Sequence, residues 1–567
     1  MHKSAVWKKE LALLTIPFFF LVVFYFLPLG EIARVSFANL RGKDFAKAVN
    51  WSITGEVLTF TLYQAFLSTL LTSVIGLPAA YLFGRYVFRA KNALRIAATL
   101  PFILPTVVVA AGFNALIGPK GWFNLFLMEY MGLSKPPLQI LNSLSAILLA
   151  HIFYNTSIII RVVSAALARF DRRLEDAART LGASGWQTFW HVTFPNLLPS
   201  IISAVLLVFL FDFTSFGVIL MLGGPRFATL EVEIYIQAVQ LLNLPMAAIL
   251  SFIQLFFTML ITFLAIKNGD SGFAVPIMPK LSSEDKRRPK NFCEKLFIAV
   301  MILVLLALLI SPIAALVLRS LLVNVPGETA DTVSDHALSL MYYRELLINR
   351  RRSFFYVAPI QAVFNSLRFA VFSSLVAICL GILMAYALQR DSRFNRVLEV
   401  IVMFPLGTSA VTLGLGFFVF FSRGIGSAKW YPWLIPMAHA LISLPFVLRV
   451  IQPVLRSIPL SLRQAAANLG ASPILVTRHI DFPLIRPSLM TAVLYAFTIS
   501  LGEFGATSFL SRPDMPTMPV AIYRFLSLPG DVNYGQALAM SVIILTTCVF
   551  SMMLFDKLQN QIGLESS

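Results

Sequence analysis

The stretch EDAARTLGASGWQTFWHVTFPNLLPS, from Glu175 to Ser200, is repeated in altered form as QAAANLGASPILVTRHIDFPLIRPS, from Gln464 to Ser488. In both copies two alanines are followed after three residues by a glycine, and two prolines come later. The same offset of 288 positions joins further identical residues on either side of the stretch, among them His151 and His439, Arg161 and Arg449, Phe216 and Phe504, Gly217 and Gly505, Pro225 and Pro513, and Tyr235 and Tyr523. One offset held over so long a stretch indicates a duplicated chain, and such a repeat determines the fold.

Each half carries six apolar stretches that are long enough to cross a membrane, since a bilayer-spanning helix needs about 20 apolar residues. They lie near residues 11–30, 56–83, 97–117, 143–163, 197–222 and 241–266 in the first half, and near 294–318, 361–388, 397–421, 433–452, 484–510 and 536–555 in the second. Hydrophobic residues make up 58% of the chain and charged residues 13%, against roughly 45–50% and about 25% in soluble domains. This composition excludes a soluble enzyme and predicts an all-α polytopic membrane protein with about 12 transmembrane helices.

A polar, strongly charged segment at residues 267–293 separates the two sets of apolar stretches, and we interpret it as a cytoplasmic linker. The predicted domains are therefore a first half at 1–266, with its core at 56–266, and a second half at 294–567, with its core at 361–555. Six spans are an even number, so the two halves share one orientation and should be related by an axis along the membrane normal. A transport pathway between the halves is the leading hypothesis.

The net charge of +18 is explained by orientation in the membrane. More of the 45 Lys and Arg residues fall in predicted inward loops and tails than in outward loops when the N-terminus is placed in the cytoplasm. This is the bias that cytoplasmic loops show, so we expect both termini to be cytoplasmic and the protein to lie in the cell (inner) membrane. No basic stripe with interleaved aromatic residues remains, and a nucleic-acid partner is not expected.

The duplicated stretch resembles the EAA loop of the permease subunits of ATP-binding-cassette importers. The resemblance rests on Asp176, Ala177, Ala178 and Gly182 in the first copy and on Gln464, Ala465, Ala466 and Gly470 in the second. It implies two tandem six-helix domains of the type I permease fold and a coupling helix in each copy that docks on an ATPase dimer. It also implies an extracytoplasmic solute-binding protein as a partner. The second copy departs from the family pattern, because neutral Gln464 occupies the acidic position.

Over most of both halves the chain is similar to the fused two-domain permeases of thiamine and ferric-iron importers. SFGVILMLGGP from Ser215 and SLGEFGATSFL from Ser500 carry this likeness. The chain has no GxxxxGK[ST] phosphate-binding motif, so we expect no cofactor in this chain, no enzymatic activity, and ATP hydrolysis in a separate subunit. We also expect no metal site, since the cysteines show no metal-ligand spacing and no HExxH occurs.

Ionisable groups inside spans are costly and are therefore default candidates for function. Asp212 and Glu503 fall in the fifth span of each half, and we consider both as residues of the substrate pathway. A cationic cargo would be attracted by these carboxylates. The alternative is that each carboxylate binds a neighbouring span residue or backbone N–H and fixes the local structure. The further polar candidates for the pathway wall are Asn155, Thr214, Ser215, Thr507 and Ser508.

Two other functions fit the same spans. A secondary transporter driven by an ion gradient also uses twelve spans in two parallel halves, and a membrane scaffold or receptor would move no cargo. The paired inward loops favour the ATP-driven permease. The identity of the cargo is left open between thiamine, ferric iron, another small cation and an oxyanion.

Overall fold

The computed structural model describes residues 2–40, 51–89, 91–268, 288–289, 291–324, 336–349, 357–389, 392–424 and 431–565. Most of the predicted linker at 267–293, namely 269–287 and 290, lies outside these ranges.

Ten described helices are long and apolar enough to cross a membrane. They are Ala12–Phe37, Trp51–Arg85, Leu144–Arg169, Gly185–Phe213, Leu244–Leu264, Phe292–Leu321, Ile360–Ala387, Pro432–Ser457, Pro473–Gly502 and Asp531–Leu554. Two bent helix pairs, Lys91–Ile103 with Thr106–Met131 and Arg393–Gly407 with Ala410–Ser422, raise the number to as many as 12. The predicted fold class, an all-α polytopic membrane protein, is confirmed.

Shorter elements connect the spans. The connecting helices are Arg173–Thr180, Gly217–Leu222, Leu230–Tyr235, Met341–Glu345, Leu460–Asn468, Gly505–Leu510 and Met518–Leu526. The short helices Gly185–Thr188 and Pro473–Val476 form the first turns of two spans. A two-stranded antiparallel sheet, Leu322–Asn324 with His336–Leu338, is the one departure from purely helical structure among the described residues.

The chain forms two compact units, and each contains segments from both sequence halves. One consists of 1–49, 234–255 and 340–567, and the other of 50–233 and 256–339. In the first, the N-terminal helix packs beside second-half helices, and the Tyr25 hydroxyl lies 2.7 Å from Thr408 Oγ1. In the second, Phe292–Leu321 packs beside Thr106–Ile117. The opening span of each sequence half belongs to the unit that contains the core of the other half. The predicted domain boundaries describe the sequence repeat, and as domain boundaries they stay a prediction.

The predicted third span of each half is bent rather than straight. The helix pair in the first half meets at 113° and the pair in the second at 94°. In the first half Pro105, with ψ of 142°, has an extended backbone between Lys91–Ile103 and Thr106–Met131. In the second half Thr408, with ψ of 133°, has an extended backbone just before Ala410–Ser422. Proline removes a backbone donor and breaks helical continuity, which accounts for the break in the first half.

The predicted fifth spans end earlier than expected. Phe194–Phe213 stops before a short helix at Gly217–Leu222, and Phe482–Gly502 stops before one at Gly505–Leu510. Each long helix packs on the second and fourth spans of its own half. In the first half this packing buries a core of Ala80, Ile158, Ile159, Val163, Ala204 and Val208. Of the predicted pathway residues, Thr214, Ser215 and Glu503 lie in these two breaks.

Candidate functional site

The two repeated stretches Glu175–Ser200 and Gln464–Ser488, for which the sequence predicts coupling to an ATPase, are called the coupling segments. Each contains two short helices joined at a glycine. Gly182 has φ of +91° and Gly470 has φ of +86°. The Ala183 N–H donates to the Ala178 carbonyl at 3.1 Å and the Ala471 N–H to the Ala466 carbonyl at 3.0 Å, the pattern of a Schellman helix ending. No atom lies within 4 Å of a Cβ built on either glycine. The glycines are therefore required by backbone conformation and not by close packing in this chain.

We expect Gly182→Ala and Gly470→Ala each to destabilise the local turn by about 1 kcal/mol, because a left-handed conformation strains a residue with a Cβ. Faster amide exchange at Ala183 or Ala471, in the chain embedded in lipid nanodiscs, would measure this. Gly185→Ala is the matched control, since Gly185 begins a helix in the same segment and a Cβ there also meets open space. Equal exchange in all three variants would contradict the assignment.

The second helix of each segment begins at a capping serine. Ser184 Oγ accepts from the Gln187 N–H and Ser472 Oγ accepts from the Leu475 N–H. In the first copy the Ser184 N–H donates in turn to Gln187 Oε1, which completes a capping box. Both copies thus adopt the same helix, turn and helix despite their different sequences.

The coupling segments expose apolar side chains. Leu469 and Leu181, which occupy equivalent repeat positions, are the two most exposed large apolar residues among those described, at 89% and 88%. Ile474 and Trp186 form a second equivalent pair, at 79% and 72%. Of the motif residues, Ala178 and Ala466 are half-buried, and six are exposed: Asp176, Ala177, Gly182, Gln464, Ala465 and Gly470. Large apolar side chains exposed at equivalent positions of both repeats make these segments candidate sites of interaction.

A buried polar cluster lies at the break in the fifth span of the first half. Asp212 is fully buried, and its carboxylate accepts from Asn155 Nδ2 at 2.6 Å and from Thr69 Oγ1 at 3.3 Å. His151 Nδ1 lies 3.2 Å from Asp212 Oδ1, and its Nε2 lies 2.9 Å from Ser215 Oγ. The sequence-predicted residues Asn155, Asp212 and Ser215 therefore meet around one histidine.

The second half has the equivalent cluster with its carboxylate at a different position. His439 Nδ1 lies 2.7 Å from Ser500 Oγ, and its Nε2 lies 3.2 Å from Glu503 Oε2. Glu503 also accepts from the N–H groups of Ala506 and Thr507, at 2.8 and 3.0 Å, and from Thr507 Oγ1 at 2.6 Å. Ser500 and Asp212 share one repeat position, as Glu503 and Ser215 share another. Each histidine thus lies beside one carboxylate. In the first half it comes from the repeat position of Asp212, and in the second from that of Glu503.

The predicted pathway residues differ in how open they are. Asn155, Asp212, Glu503 and Thr507 are buried, while Thr214, Ser215 and Ser508 are half-buried. Both carboxylates are engaged by protein donors. This geometry matches the alternative in which the carboxylates fix local structure.

The sequence identifies His151 and His439 as equivalent residues of the repeat, but it does not link them to the carboxylates. The signal was present, because both histidines are repeat-equivalent and a buried carboxylate requires a hydrogen-bonded partner. Sequence reasoning also did not single out Glu175, Arg463 and Asp481, whose contacts are described below.

The model of the family described as "Binding-protein-dependent transport system inner membrane component" matches residues 73–267 and again 377–562. The double match covers most of the predicted core of each sequence half and the whole of both coupling segments.

Curated relatives align over most of the chain. The thiamine transport system permease protein ThiP of Escherichia coli (strain K12) is 24% identical, with 92% of each chain covered. ThiP of Brucella abortus (strain 2308) is 26% identical, covering 91% of this chain and 90% of that one. The ferric transport system permease protein FbpB of Actinobacillus pleuropneumoniae is 24% identical, covering 94% and 76%. Among solved structures, a chain of a bacterial alginate ABC transporter has a TM-score of 0.39 at 19% identity, with coverage of 45% and 91%.

Proposed function

We propose that this chain, which belongs to the family of binding-protein-dependent transport system inner membrane components, is the permease of an ATP-driven importer that couples to a separate ATPase dimer. One observation carries the coupling role. Leu181 and Leu469 are repeat-equivalent, almost fully exposed, and held beside the positive-φ turns of Gly182 and Gly470. Two apolar docking positions in one chain fit an ATPase that is itself a dimer.

The arrangement in the membrane follows from this assignment. The coupling segments face the cytoplasm, where ATP is available, and the N- and C-termini lie on the same side. The opposite face receives cargo from an extracytoplasmic solute-binding protein. ATP-driven closure of the ATPase dimer displaces the two coupling segments and opens the pathway alternately to each side. This chain supplies the pathway and catalyses no covalent step.

Thiamine is the proposed cargo, because relatives named as thiamine permeases align over about nine-tenths of the chain. Ferric iron is the second candidate, since a ferric transport permease aligns over 94% of this chain. Both cargoes are cationic, and neither requires a fixed ligand set in the permease when a binding protein selects the cargo.

Half-buried Thr214, Ser215 and Ser508 are the proposed wall residues that cargo touches. Asp212 acts from behind this wall through His151, which contacts Ser215. Glu503 acts through Thr507 and His439. The two carboxylates position the wall residues without a lasting contact with cargo that would trap it.

Reconstitution tests the function directly. The full chain is placed in proteoliposomes with the ATPase and binding protein encoded beside it, and uptake of radiolabelled thiamine and of ferric citrate is measured. We expect uptake of thiamine that needs ATP, needs the binding protein and survives ionophores. Uptake without ATP that collapses with the proton or sodium gradient would establish a secondary transporter instead. Uptake of iron but not thiamine would reassign the cargo and leave the mechanism intact.

A further inference from the structure

The first coupling helix, Arg173–Thr180, buries a charged side chain and exposes an apolar one, whereas an ordinary surface helix does the reverse. Within this helix, which is described in full, the one buried residue is the charged Glu175. Its apolar Leu174 is about half exposed, and Leu181 just beyond its end points outward. Apolar burial therefore does not hold this helix to the rest of the protein.

Glu175 makes the contact that does hold it. The Arg85 guanidinium, at the end of the second span, donates to Glu175 Oε1. Thr193 Oγ1, at the start of the fifth span, donates to the same oxygen at 2.5 Å. All three residues are buried. One carboxylate oxygen thus joins the coupling helix to the bases of two spans.

The second half joins the same three elements with the charges exchanged. Arg463 occupies the repeat position of Glu175, and Asp481 occupies that of Thr193. Arg463 Nε donates to Asp481 Oδ1 at 2.7 Å, and the Tyr386 hydroxyl at the end of the second-half span Ile360–Ala387 donates to Asp481 Oδ2 at 3.4 Å. The helix Leu460–Asn468, also described in full, has no fully buried residue of its own. The ion pair is therefore its strongest attachment among the described contacts.

We propose that these two ion pairs, Glu175 with Arg85 and Arg463 with Asp481, transmit displacement of each coupling helix to the spans. This role rests on the proposed function, in which the ATPase displaces the coupling helices. A helix held by apolar packing alone slides, whereas a charge-assisted hydrogen bond fixes both distance and direction. Glu175 also accepts from Thr193, and Asp481 itself lies at the base of the second-half fifth span. Because both coupling helices are thereby attached to the base of a fifth span, a shift of the helix reaches the break at Thr214 or Glu503 along one continuous helix. The four charged residues are positioning residues and do not touch cargo.

The attachment itself is tested on the full chain alone in lipid nanodiscs, where the ATPase is not needed. We expect Glu175→Gln to raise amide exchange in Arg173–Thr180 on the order of a hundredfold, because it breaks a buried pair. Asp176→Asn is the matched control for exchange. It removes the same charge one residue further on, from the exposed face, and should change the rate less than about fivefold through the helix dipole alone.

Charge exchange in the second half provides the specific test. Arg463→Glu and Asp481→Arg should each accelerate exchange in Leu460–Asn468, and the double variant should restore protection. Arg393→Glu, an exposed charge reversal elsewhere in the same unit, should leave it unchanged. If the double variant does not fold, amide exchange in Leu460–Asn468 is compared between Arg463→Gln and wild type. We expect faster exchange in the variant, and equal exchange would overturn the attachment. Equal exchange in Glu175→Gln and Asp176→Asn, or no protection gained in a folded double variant, would overturn the attachment.

The transmission is tested in the complete importer, reconstituted with its ATPase and binding protein. We expect Arg463→Glu to lower thiamine transported per ATP hydrolysed while the ATPase still binds, and the double variant to recover the ratio. A residue needed only for folding would reduce transport and hydrolysis together and leave the ratio unchanged, and that outcome would overturn transmission. Absence of ATP-driven uptake by wild type would refute the proposed function, and the exchange results would still decide the attachment.

Discussion

The double variant Leu181→Asp with Leu469→Asp is expected to lose ATPase binding and ATP-driven uptake while remaining folded in the membrane. Both leucines are almost fully exposed, so their replacement removes no internal packing. Burial of a leucine in a partner's groove contributes about 1.5–3 kcal/mol. Loss of two such contacts weakens binding by on the order of a hundredfold or more, and a carboxylate in an apolar groove weakens it further.

The measurement is capture of the ATPase by the full chain in nanodiscs, followed by uptake in proteoliposomes. Leu338→Asp is the matched control, because Leu338 is also a strongly exposed leucine, at 76%, and lies in the strand His336–Leu338 on the predicted outward side. We expect the control to bind the ATPase normally. Undiminished ATPase capture by the double variant would exclude these leucines from the interface and remove the main support for the coupling role.

The coupling segments could be predicted from sequence because their signals are local. Two alanines, a glycine and the following prolines recur at one offset, and a positive-φ helix ending needs glycine whatever surrounds it. The spans were predictable for the same reason, since a run of apolar residues is read within a single window. The described residues contain ten candidate spans, or up to 12 with the two bent pairs, against a prediction of about 12. The resemblance to binding-protein-dependent permeases is confirmed.

Contacts between distant segments were not predictable in the same way. His151 meets Asp212 across two packed helices, and no local pattern reports that meeting. The ion pair of Arg463 and Asp481 joins a coupling helix to a span through a turn whose geometry the sequence does not specify. The repeat supplied a partial clue, because equivalent positions carry complementary polar residues. Position 212 is aspartate where its equivalent, 500, is serine, and position 215 is serine where its equivalent, 503, is glutamate. The carboxylate therefore occupies a different position in each half, while the histidine is the same in both.

Glu503→Ala is expected to cause the largest loss of stability of any single change considered. Glu503 is buried and accepts hydrogen bonds from two backbone N–H groups at the start of Gly505–Leu510, while His439 lies 3.2 Å away. Alanine leaves these two N–H groups and the His439 ring without their buried acceptor, and each buried group left unsatisfied costs about 1–3 kcal/mol, against a total stability of about 5–15 kcal/mol for a typical domain. Thermal unfolding of the purified full chain in mild detergent measures the loss. Asp514→Ala is the matched control, since Asp514 pairs with Arg512 at an exposed site and such pairs contribute only about 0–1 kcal/mol.

The double variant Ser500→Asp with Glu503→Ser separates a structural role from contact with cargo. It moves the carboxylate to the position that Asp212 occupies in the first half, where an acidic side chain lies 3.2 Å from the equivalent histidine. Serine at 503 retains an oxygen that can cap the following helix. We therefore expect the double variant to recover most of the stability lost by Glu503→Ala and to restore uptake in parallel. Wild-type stability in Glu503→Ala, together with abolished uptake, would instead place the carboxylate in direct contact with cargo. The first half already holds its carboxylate at the other position, so the two clusters require one acid beside each histidine and not an acid at one fixed place.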